Sequence, residues 1–151
     1  MKSPGALAVP LPSDLDWLAA AIDFEGSLQF GKNKRKDGTA QFAWRPSFQL
    51  ANTNKDLVDK TKRICGGGSI YFKITKDNRK NYYLFCLSHN GLRYILPFVW
   101  YRLISKRKQA ELLIEALGLL TERRKMGNLN RDDKKLEEIY CKMKELNRRG
   151  K

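Results

Sequence analysis

Four extended runs constrain the fold of this chain most, and apolar and polar residues alternate clearly in the first two. The four runs cover residues 27–36, 40–52, 69–75 and 81–88. The pair Asp37-Gly38 joins the first two runs, and a polar turn joins the last two. Alternation around a short turn is typical of a β-hairpin, because successive side chains of a strand point to opposite faces. The sequence therefore predicts two antiparallel hairpins.

Helical spacing of apolar residues precedes each hairpin and continues after the second. The predicted helices cover about 15–24, 54–65, 91–101, 106–123 and 131–148. We expect Asp14 or Asp16 to cap the first helix and Gly26 to end it. We expect Asn54 to cap the second. The order αββαββα, followed by C-terminal helices, indicates an α+β fold with one antiparallel four-stranded sheet, whose polar face stays open.

The chain is long enough for one domain, and it is strongly basic. Its 151 residues carry 30 Lys plus Arg against 16 Asp plus Glu, a formal net charge of +14. We expect an N-terminal arm at 1–13 and a single domain at 14–151, with a C-terminal helical part from about residue 124. The charge favours a polyanionic partner, either nucleic acid or an acidic membrane surface. No apolar run is long enough to span a bilayer, and the proline-interrupted start is unlike a signal peptide, so we expect an intracellular location.

The use of histidine and cysteine disfavours several kinds of site. His89 is the one histidine, and Cys65, Cys86 and Cys141 are far apart. A histidine-based triad, a zinc site and a disulfide framework all need more of these residues or closer spacing. We expect three buried or semi-buried thiols in a reducing compartment.

The end of the first predicted helix carries two acidic residues in an unfavourable place. Asp23 and Glu25 follow three consecutive alanines at 19–21. The helix macrodipole disfavours a negative charge at the C-terminus by about 0.3–1 kcal/mol each, and broken local rules of this kind often mark functional sites. The alanines make a thin side that lets another helix approach closely. The alternative is a core helix that ends with two solvated acids.

Residues 18–26, with the sequence LAAAIDFEG, resemble the signature of the LAGLIDADG homing endonucleases. The identical positions are Leu18, Ala19, Ile22, Asp23 and Gly26. Glu25 replaces the second aspartate by another carboxylate, whereas Ala20 replaces a glycine and Phe24 stands where a small residue is usual. The motif occurs once. Single-motif members of the family are homodimers, and their αββαββα core matches the order predicted for roughly residues 14–123.

The resemblance implies a homodimeric, site-specific DNA endonuclease of intron-encoded origin. Such an enzyme uses divalent metal to cut both strands of a long pseudo-palindromic duplex and leaves short 3′ overhangs. Glu25 of each copy would bind Mg²⁺, for which Mn²⁺ is a plausible substitute, whereas Ca²⁺ would support binding only. The helices would pack along the dyad through Leu18, Ala19, Ala21, Ile22 and Asp23.

Two further residues match the positions of catalytic residues in the family. Asn52 follows the second strand, and Lys106 opens the run KRKQA, which is similar to the family's Lys-x-Lys-Gln-Ala. Three cations at a helix N-terminus are misplaced unless a phosphate lies near them, and Arg107 and Lys108 would be auxiliaries. Alternatively, Asn52 is a loop residue beside Asn54, and the lysines form a solvated basic surface.

Polar side chains share the outward phase of the predicted strands. Arg, Gln, Asn and Lys can read base edges in the major groove, which a twisted β-ribbon fits. The expected DNA-binding residues are Gln29, Asn33, Arg35, Gln41, Arg45, Ser47, Gln49, Tyr71, Lys73, Thr75, Arg107 and Lys108. Lys32 is expected to contact phosphate or only to add solubility. The phase of residues 82–88 is too apolar to assign.

Two other functions stay open at this point. A non-cleaving protein of the same architecture, either an RNA splicing maturase or a DNA-binding regulator, would tolerate the loss of Glu25 and Lys106, and the maturase would bind RNA. A generic ribosomal or RNA-binding α+β protein accounts for the charge but gives no reason for the alanine face and the terminal acids.

Overall fold

The computed structural model describes residues 9–34, 42–125 and 133–149. In chain order the elements are α1 (Pro12–Glu25), β1 (Gly26–Lys34), β2 (Phe42–Asn52), α2 (Lys55–Cys65), β3 (Ser69–Lys73), β4 (Tyr82–Leu87), α3 (His89–Val99), a 3-10 turn (Trp100–Arg102), α4 (Arg107–Lys125) and α5 (Asp133–Arg149). Arg35, Gln41, the Asp37-Gly38 turn and the arm up to residue 8 lie outside the described residues. The predicted element order is confirmed.

The four strands form one antiparallel sheet in the order β1-β2-β4-β3. Gly26 pairs with Leu50 at one end of the β1–β2 ladder, and Phe48 pairs with Leu87 where β2 meets β4. The two hairpins therefore lie side by side, joined through β2 and β4, and β1 and β3 form the outer edges. This is the predicted α+β fold with a four-stranded antiparallel sheet.

One face of the sheet packs against the helices and forms the core. Leu28, Phe48 and Phe85 lie on this face and are almost fully buried. The rings of Phe48 and Phe85 meet edge to face with centroids 5.7 Å apart, a favoured aromatic geometry. The other face of the sheet carries polar side chains and is open. None of the helices in the described ranges is long and apolar enough to cross a membrane.

A side-chain cap is present at the start of α2 but not at the starts of α1 and α3. The Asn54 side chain accepts a hydrogen bond from the Asp56 amide at 3.0 Å and caps α2 as predicted. The prediction that Asp14 or Asp16 caps α1 is wrong, because the helix begins at Pro12, a residue favoured in the first turn. The two acids instead pair with arginines that lie far away in the sequence.

Candidate active site and nucleic-acid interface

Helix α1 turns one side to the core of its own chain and the other side to solvent. Leu18, Ala19 and Ile22 are almost fully buried in that core. Their side chains pack inside the chain and leave little surface for the predicted contact with a second copy, although Ala19 also lines a groove on the solvent side. That contact stays a prediction. Ala21 is half-buried, and Ala20 is exposed. The sequence could not separate the two sides, since apolar residues surround the helix at this point.

The exposed side of α1 continues into an apolar patch. Phe24 is 85% exposed, and Ile104, in the loop before α4, is 87% exposed. Between them lies a shallow groove whose floor includes Ala20. Large apolar side chains that meet at one groove are typical of an interaction surface. Ala20 and Phe24, which both depart from the family motif, are thus part of this patch.

The Asp23 carboxylate is used within its own chain. It accepts hydrogen bonds from the backbone amides of Ile104 at 2.8 Å, Ser105 at 3.2 Å and Lys106 at 3.1 Å. It also accepts one from the Ser105 hydroxyl at 3.0 Å. These amides precede α4, so a carboxylate from α1 caps a helix that lies some 80 residues later in the chain. Asp23 also lines the groove beside Phe24 and Ile104, and its predicted place in the dimer interface stays a prediction.

Lys106 makes the reverse connection to the end of α1. Its ammonium donates hydrogen bonds to the carbonyl oxygens of Ile22 at 2.9 Å and Asp23 at 3.3 Å, and to that of Gly26. A cation at a helix C-terminus satisfies carbonyls that have no partner in the helix. Burial lowers the pKa of Lys106, and the charges of Asp23 and Glu25 oppose that shift. Lys106 and Glu25 are thus brought into one electrostatic environment.

Glu25 is the last residue of α1, and its side chain is exposed. No hydrogen bond or ion pair of its carboxylate is found among the described residues. The next residue, Gly26, lies where there is no room for a side chain. A Cβ on Gly26 would lie 2.8 Å from Phe48 Cε2 and 2.9 Å from Ile22 Cα. The helix end is therefore packed directly on the sheet. Glu25 is therefore an exposed acid at the junction of α1 and β1, within electrostatic reach of Lys106.

Asn52 lies at the same end of the sheet as Glu25, because Leu50, two residues before it, pairs with Gly26. Its side-chain oxygen accepts a hydrogen bond from the Asn54 amide at 2.8 Å and turns the chain toward α2. The loop contact that the sequence left as an alternative is present. A catalytic role for Asn52 stays a prediction.

The open face of the sheet carries most of the polar residues predicted for it. Register places Gln29 beside Ser47, and Asn33 lies farther along β1 on the same face. The residues with the predicted outward phase are Gln29, Asn33, Arg45, Ser47, Gln49, Tyr71 and Lys73. Tyr82, Leu84 and Cys86 of β4 complete this face. Sequence reasoning missed these three, because β4 is apolar on both faces.

Several predicted contact residues lie elsewhere. Thr75 lies beyond β3, and its hydroxyl donates to the Arg79 carbonyl at 2.7 Å inside a turn. Arg107 donates to the carbonyls of Leu103 and Tyr101, both at 2.9 Å, and so holds the turn before α4. Lys108 lines a groove between α4 and α5. The prediction that Thr75 lies on the open face is therefore wrong, whereas the auxiliary role of Arg107 and Lys108 beside Lys106 stays a prediction.

The ammonium of Lys32 points to the helix side of the sheet, not to the open face. It pairs with Glu137 of α5 and lies 4.2 Å from the centroid of the Phe42 ring. Its ion pair with Glu137 disfavours a phosphate contact, which stays a prediction.

These features together are those of the LAGLIDADG homing-endonuclease fold: an αββαββα core, an acid-terminated first helix and an open polar sheet. The structure is similar to that of the homing endonuclease I-CvuI in complex with DNA, with a TM-score of 0.69 and 21% identity over 89% of this chain and 82% of that chain. It is also similar to the group I intron-encoded homing endonuclease I-CeuI complexed with DNA, with a TM-score of 0.70 and 15% identity over 91% of this chain and 68% of that chain.

A third similar structure is the LAGLIDADG homing endonuclease I-SmaMI bound to cleaved DNA, with a TM-score of 0.65 and 19% identity. The match covers 87% of this chain but only 43% of that chain. No protein-family model and no curated protein sequence matches this chain. The resemblance predicted from residues 18–26 is confirmed at the level of the fold.

Proposed function

We propose that this chain is a homodimeric, metal-dependent DNA endonuclease that cuts both strands of a long duplex near the centre of a two-fold symmetric site. The observation that carries the proposal is the position of Glu25. Its free carboxylate lies at the end of α1, beside the charge of Lys106 and at the end of an open polar sheet. The proposal includes an intracellular location and an intron-encoded origin.

The exposed side of α1 supports the dimer. Ala20 is small enough to let a second helix approach closely, and Phe24 and Ile104 add apolar area that association would bury. The matched region covers 43% of the I-SmaMI chain, so the I-SmaMI chain is long enough to hold two copies of the fold. A chain with one copy reaches the same arrangement by pairing with itself. The two Glu25 carboxylates would then meet near the dyad.

The open face of the sheet supports DNA as the substrate. Its polar side chains include Gln29, Arg45 and Gln49, which suit the donor and acceptor pattern of the major groove. The net charge of +14 gives the long-range attraction that a phosphate backbone requires. The similar structures of I-CvuI and I-CeuI are complexes with DNA, and those of I-CvuI are in the presence of Mg or Ca.

The donor set of one copy does not by itself form a metal site. No cluster of three or more His, Cys, Asp or Glu side chains is found in the described part of the chain. Two copies would offer a pair of Glu25 carboxylates, and DNA phosphate oxygens and water complete the oxygen set that Mg²⁺ prefers. Divalent metal, when bound, activates a hydrolytic water and stabilises the leaving oxyanion. Mn²⁺ is the expected substitute, and Ca²⁺ the ion that permits binding alone.

Lys106 acts in this proposal by position and by charge. A lysine ammonium has three hydrogen-bond donors, and three backbone carbonyls at the end of α1 accept from it. It therefore fixes the helix end that carries Glu25, and its charge adds to the positive potential at the scissile phosphate. Asp23 supports the same helix end through the amides before α4.

The proposal is tested with a library of randomised DNA duplexes, from which the protein first selects the sequences that it binds and then cleaves them. The protein in Ca²⁺ should retain one pseudo-palindromic site, and transfer of the complex to Mg²⁺ should give one discrete double-strand cut within it. Selective binding with no cut in Mg²⁺ or Mn²⁺ would favour a non-cleaving regulator. Absence of any sequence-selective duplex binding would reject the proposal.

A further inference from the structure

Helix α5 is fixed firmly beside the sheet. Leu136, Ile139 and Met143 are almost fully buried along one side of it. Its Glu137 pairs with Lys32 of β1, whose ammonium also faces the Tyr140 ring, 5.8 Å from the centroid. The position of α5 relative to β1 is therefore set by packing and by a partly buried ion pair.

The C-terminal half of α5 covers the β1 edge of the sheet. The Asn147 side-chain amide donates a hydrogen bond to the Leu28 carbonyl at 3.1 Å. Because β1 is an outer strand, this carbonyl has no neighbouring strand to bond, and α5 supplies a partner. The helix thus runs along the boundary of the open face.

A cleft lies along this boundary, with the sheet on one side and α5 on the other. The sheet side includes Gln29, Asn33 and Arg45, and the helix side includes Lys144 and Arg148. No acidic side chain is among the described residues that line it. Lys144 and Arg148 are exposed, and the Lys144 ammonium lies 5.4 Å from the centroid of the Tyr140 ring, which helps to hold it in place. Every charged side chain that lines the cleft in the described structure is thus basic.

The opposite side of α5 has a different charge pattern. It forms a groove with α4 in which Glu111, Glu115 and Glu145 alternate with Lys108 and Lys142. The charges of this groove are mixed, so it has no preference for an anion. The basic side of α5 is therefore the side that borders the open sheet face, although the helix carries lysines on both sides.

The β1–β2 pair indicates what the basic cleft would meet. The major groove of B-DNA is about 12 Å wide and admits a two-stranded β-ribbon. A duplex whose major groove receives the β1–β2 ribbon would place one of its phosphate backbones along the β1 edge. Of the basic residues that line the cleft at this edge, Lys144 and Arg148 lie on α5, Arg45 lies on β2, and Lys32 is paired with Glu137.

We infer that Lys144 and Arg148 of α5 bind the phosphate backbone of the duplex along the β1 edge. This inference rests on the proposed function and assigns α5 to the substrate-binding surface. The helix would form a wall that sets the lateral position of the duplex on the sheet. Contacts of this kind fix position and add affinity but do not read sequence.

The test compares two exposed lysines on one helix by the salt dependence of DNA binding. Lys144→Ala should lower affinity and reduce the slope of log affinity against log salt by roughly 0.9 for each phosphate that a subunit no longer neutralises. Addition of Arg148→Ala should reduce the slope again by a similar amount. Lys142→Ala removes the same charge two residues away, on the mixed-charge side, and should leave the slope unchanged.

The outcomes separate the inference from the proposed function. Equal effects of Lys144→Ala and Lys142→Ala, or no effect of either, would overturn the inference. The proposed function would still stand in that case if Arg45→Ala weakened DNA binding. Failure of the unmodified protein to bind duplex DNA would reject the proposed function itself. A changed base preference in Lys144→Ala would also overturn the inference, because removal of a phosphate-binding side chain weakens binding to all sequences alike.

Discussion

Asp23 and Lys106 cap each other's helices reciprocally. The Asp23 carboxylate accepts a hydrogen bond from the Lys106 backbone amide at 3.1 Å, and the Lys106 ammonium donates one to the Asp23 backbone carbonyl at 3.3 Å. One residue supplies a negative charge before the N-terminus of α4, and the other supplies a positive charge at the C-terminus of α1. The pair fixes the helix end that carries Glu25.

Asp23→Ala should destabilise the fold by about 0.5–2 kcal/mol, the range for loss of a helix-capping side chain. Three backbone amides would lose their acceptor. Urea unfolding measures the change, with Asp16→Ala as the control, because Asp16 lies on the same helix but makes only an exposed ion pair with Arg102. A smaller loss for Asp23→Ala than for Asp16→Ala would contradict the capping role.

Lys106 should make the stability of the fold depend on pH in the alkaline range. Its pKa is lowered from 10.5 in the folded chain by burial, whereas the unfolded chain keeps the ordinary value. Between these two pKa values the unfolded state binds more protons, so this contribution to the free energy of unfolding rises with pH there and is smallest below the folded pKa. Lys106→Met should remove the rise. Parallel pH profiles for the two proteins would refute the prediction.

Sequence reasoning succeeded where the residues alternate clearly. In β1 and β2, polar positions such as Gln29 and Arg45 stand between buried ones, so the open face could be predicted by counting. In β4, Leu84 and Cys86 on the open face are as apolar as Phe85 on the buried one. Alternation then carries no information, and only the pairing with β2 and β3 reveals the phase.

Local motifs indicate Asp23, Glu25 and Lys106 as candidate site residues, but they do not predict the contacts that these residues make. The capping contacts join residues about 80 positions apart. No local pattern encodes which carbonyl or amide another helix will present. The same limit applies to α1, where apolar residues on all sides hid which side the core would bury.

Gly26→Ala should destabilise the fold by about 1–3 kcal/mol, the range for overpacking a filled core. The added Cβ would lie 2.8 Å from Phe48 Cε2 and 2.9 Å from Ile22 Cα, so the end of α1 would have to move. Gly31→Ala, on the same strand, is the control, since its Cβ would lie no nearer than 3.6 Å to the Arg45 carbonyl oxygen. Thermal unfolding of both variants measures the difference. Equal destabilisation would mean that the close approach at Gly26 is unimportant.

Phe24→Glu should convert the dimer to a monomer. The substitution places a charge in the apolar patch that the second copy would cover, where an unpaired charge is costly. Phe72→Glu is the control, because Phe72 is also exposed but lies on β3, at the far edge of the sheet. Sedimentation at micromolar concentration distinguishes the two forms. An unmodified protein that is monomeric both free and on DNA would reject the dimer.

Glu25→Gln should abolish cleavage while DNA binding persists. The amide keeps the size of the side chain but lacks the charge needed to hold Mg²⁺, and it removes the repulsion between two carboxylates at the dyad. Mutation of a residue that only hydrogen-bonds to a metal ligand typically lowers metal affinity or activity by about 10–100-fold. Loss of the ligand itself should therefore lower the cleavage rate by more than about 100-fold. Gel shifts in Ca²⁺ measure binding, and Asp16→Asn, another exposed acid of α1, serves as the control that should cut normally. Full nicking activity in Glu25→Gln would reject Glu25 as a metal ligand, and joint loss of cutting and binding would indicate a role in folding or in the dimer interface instead.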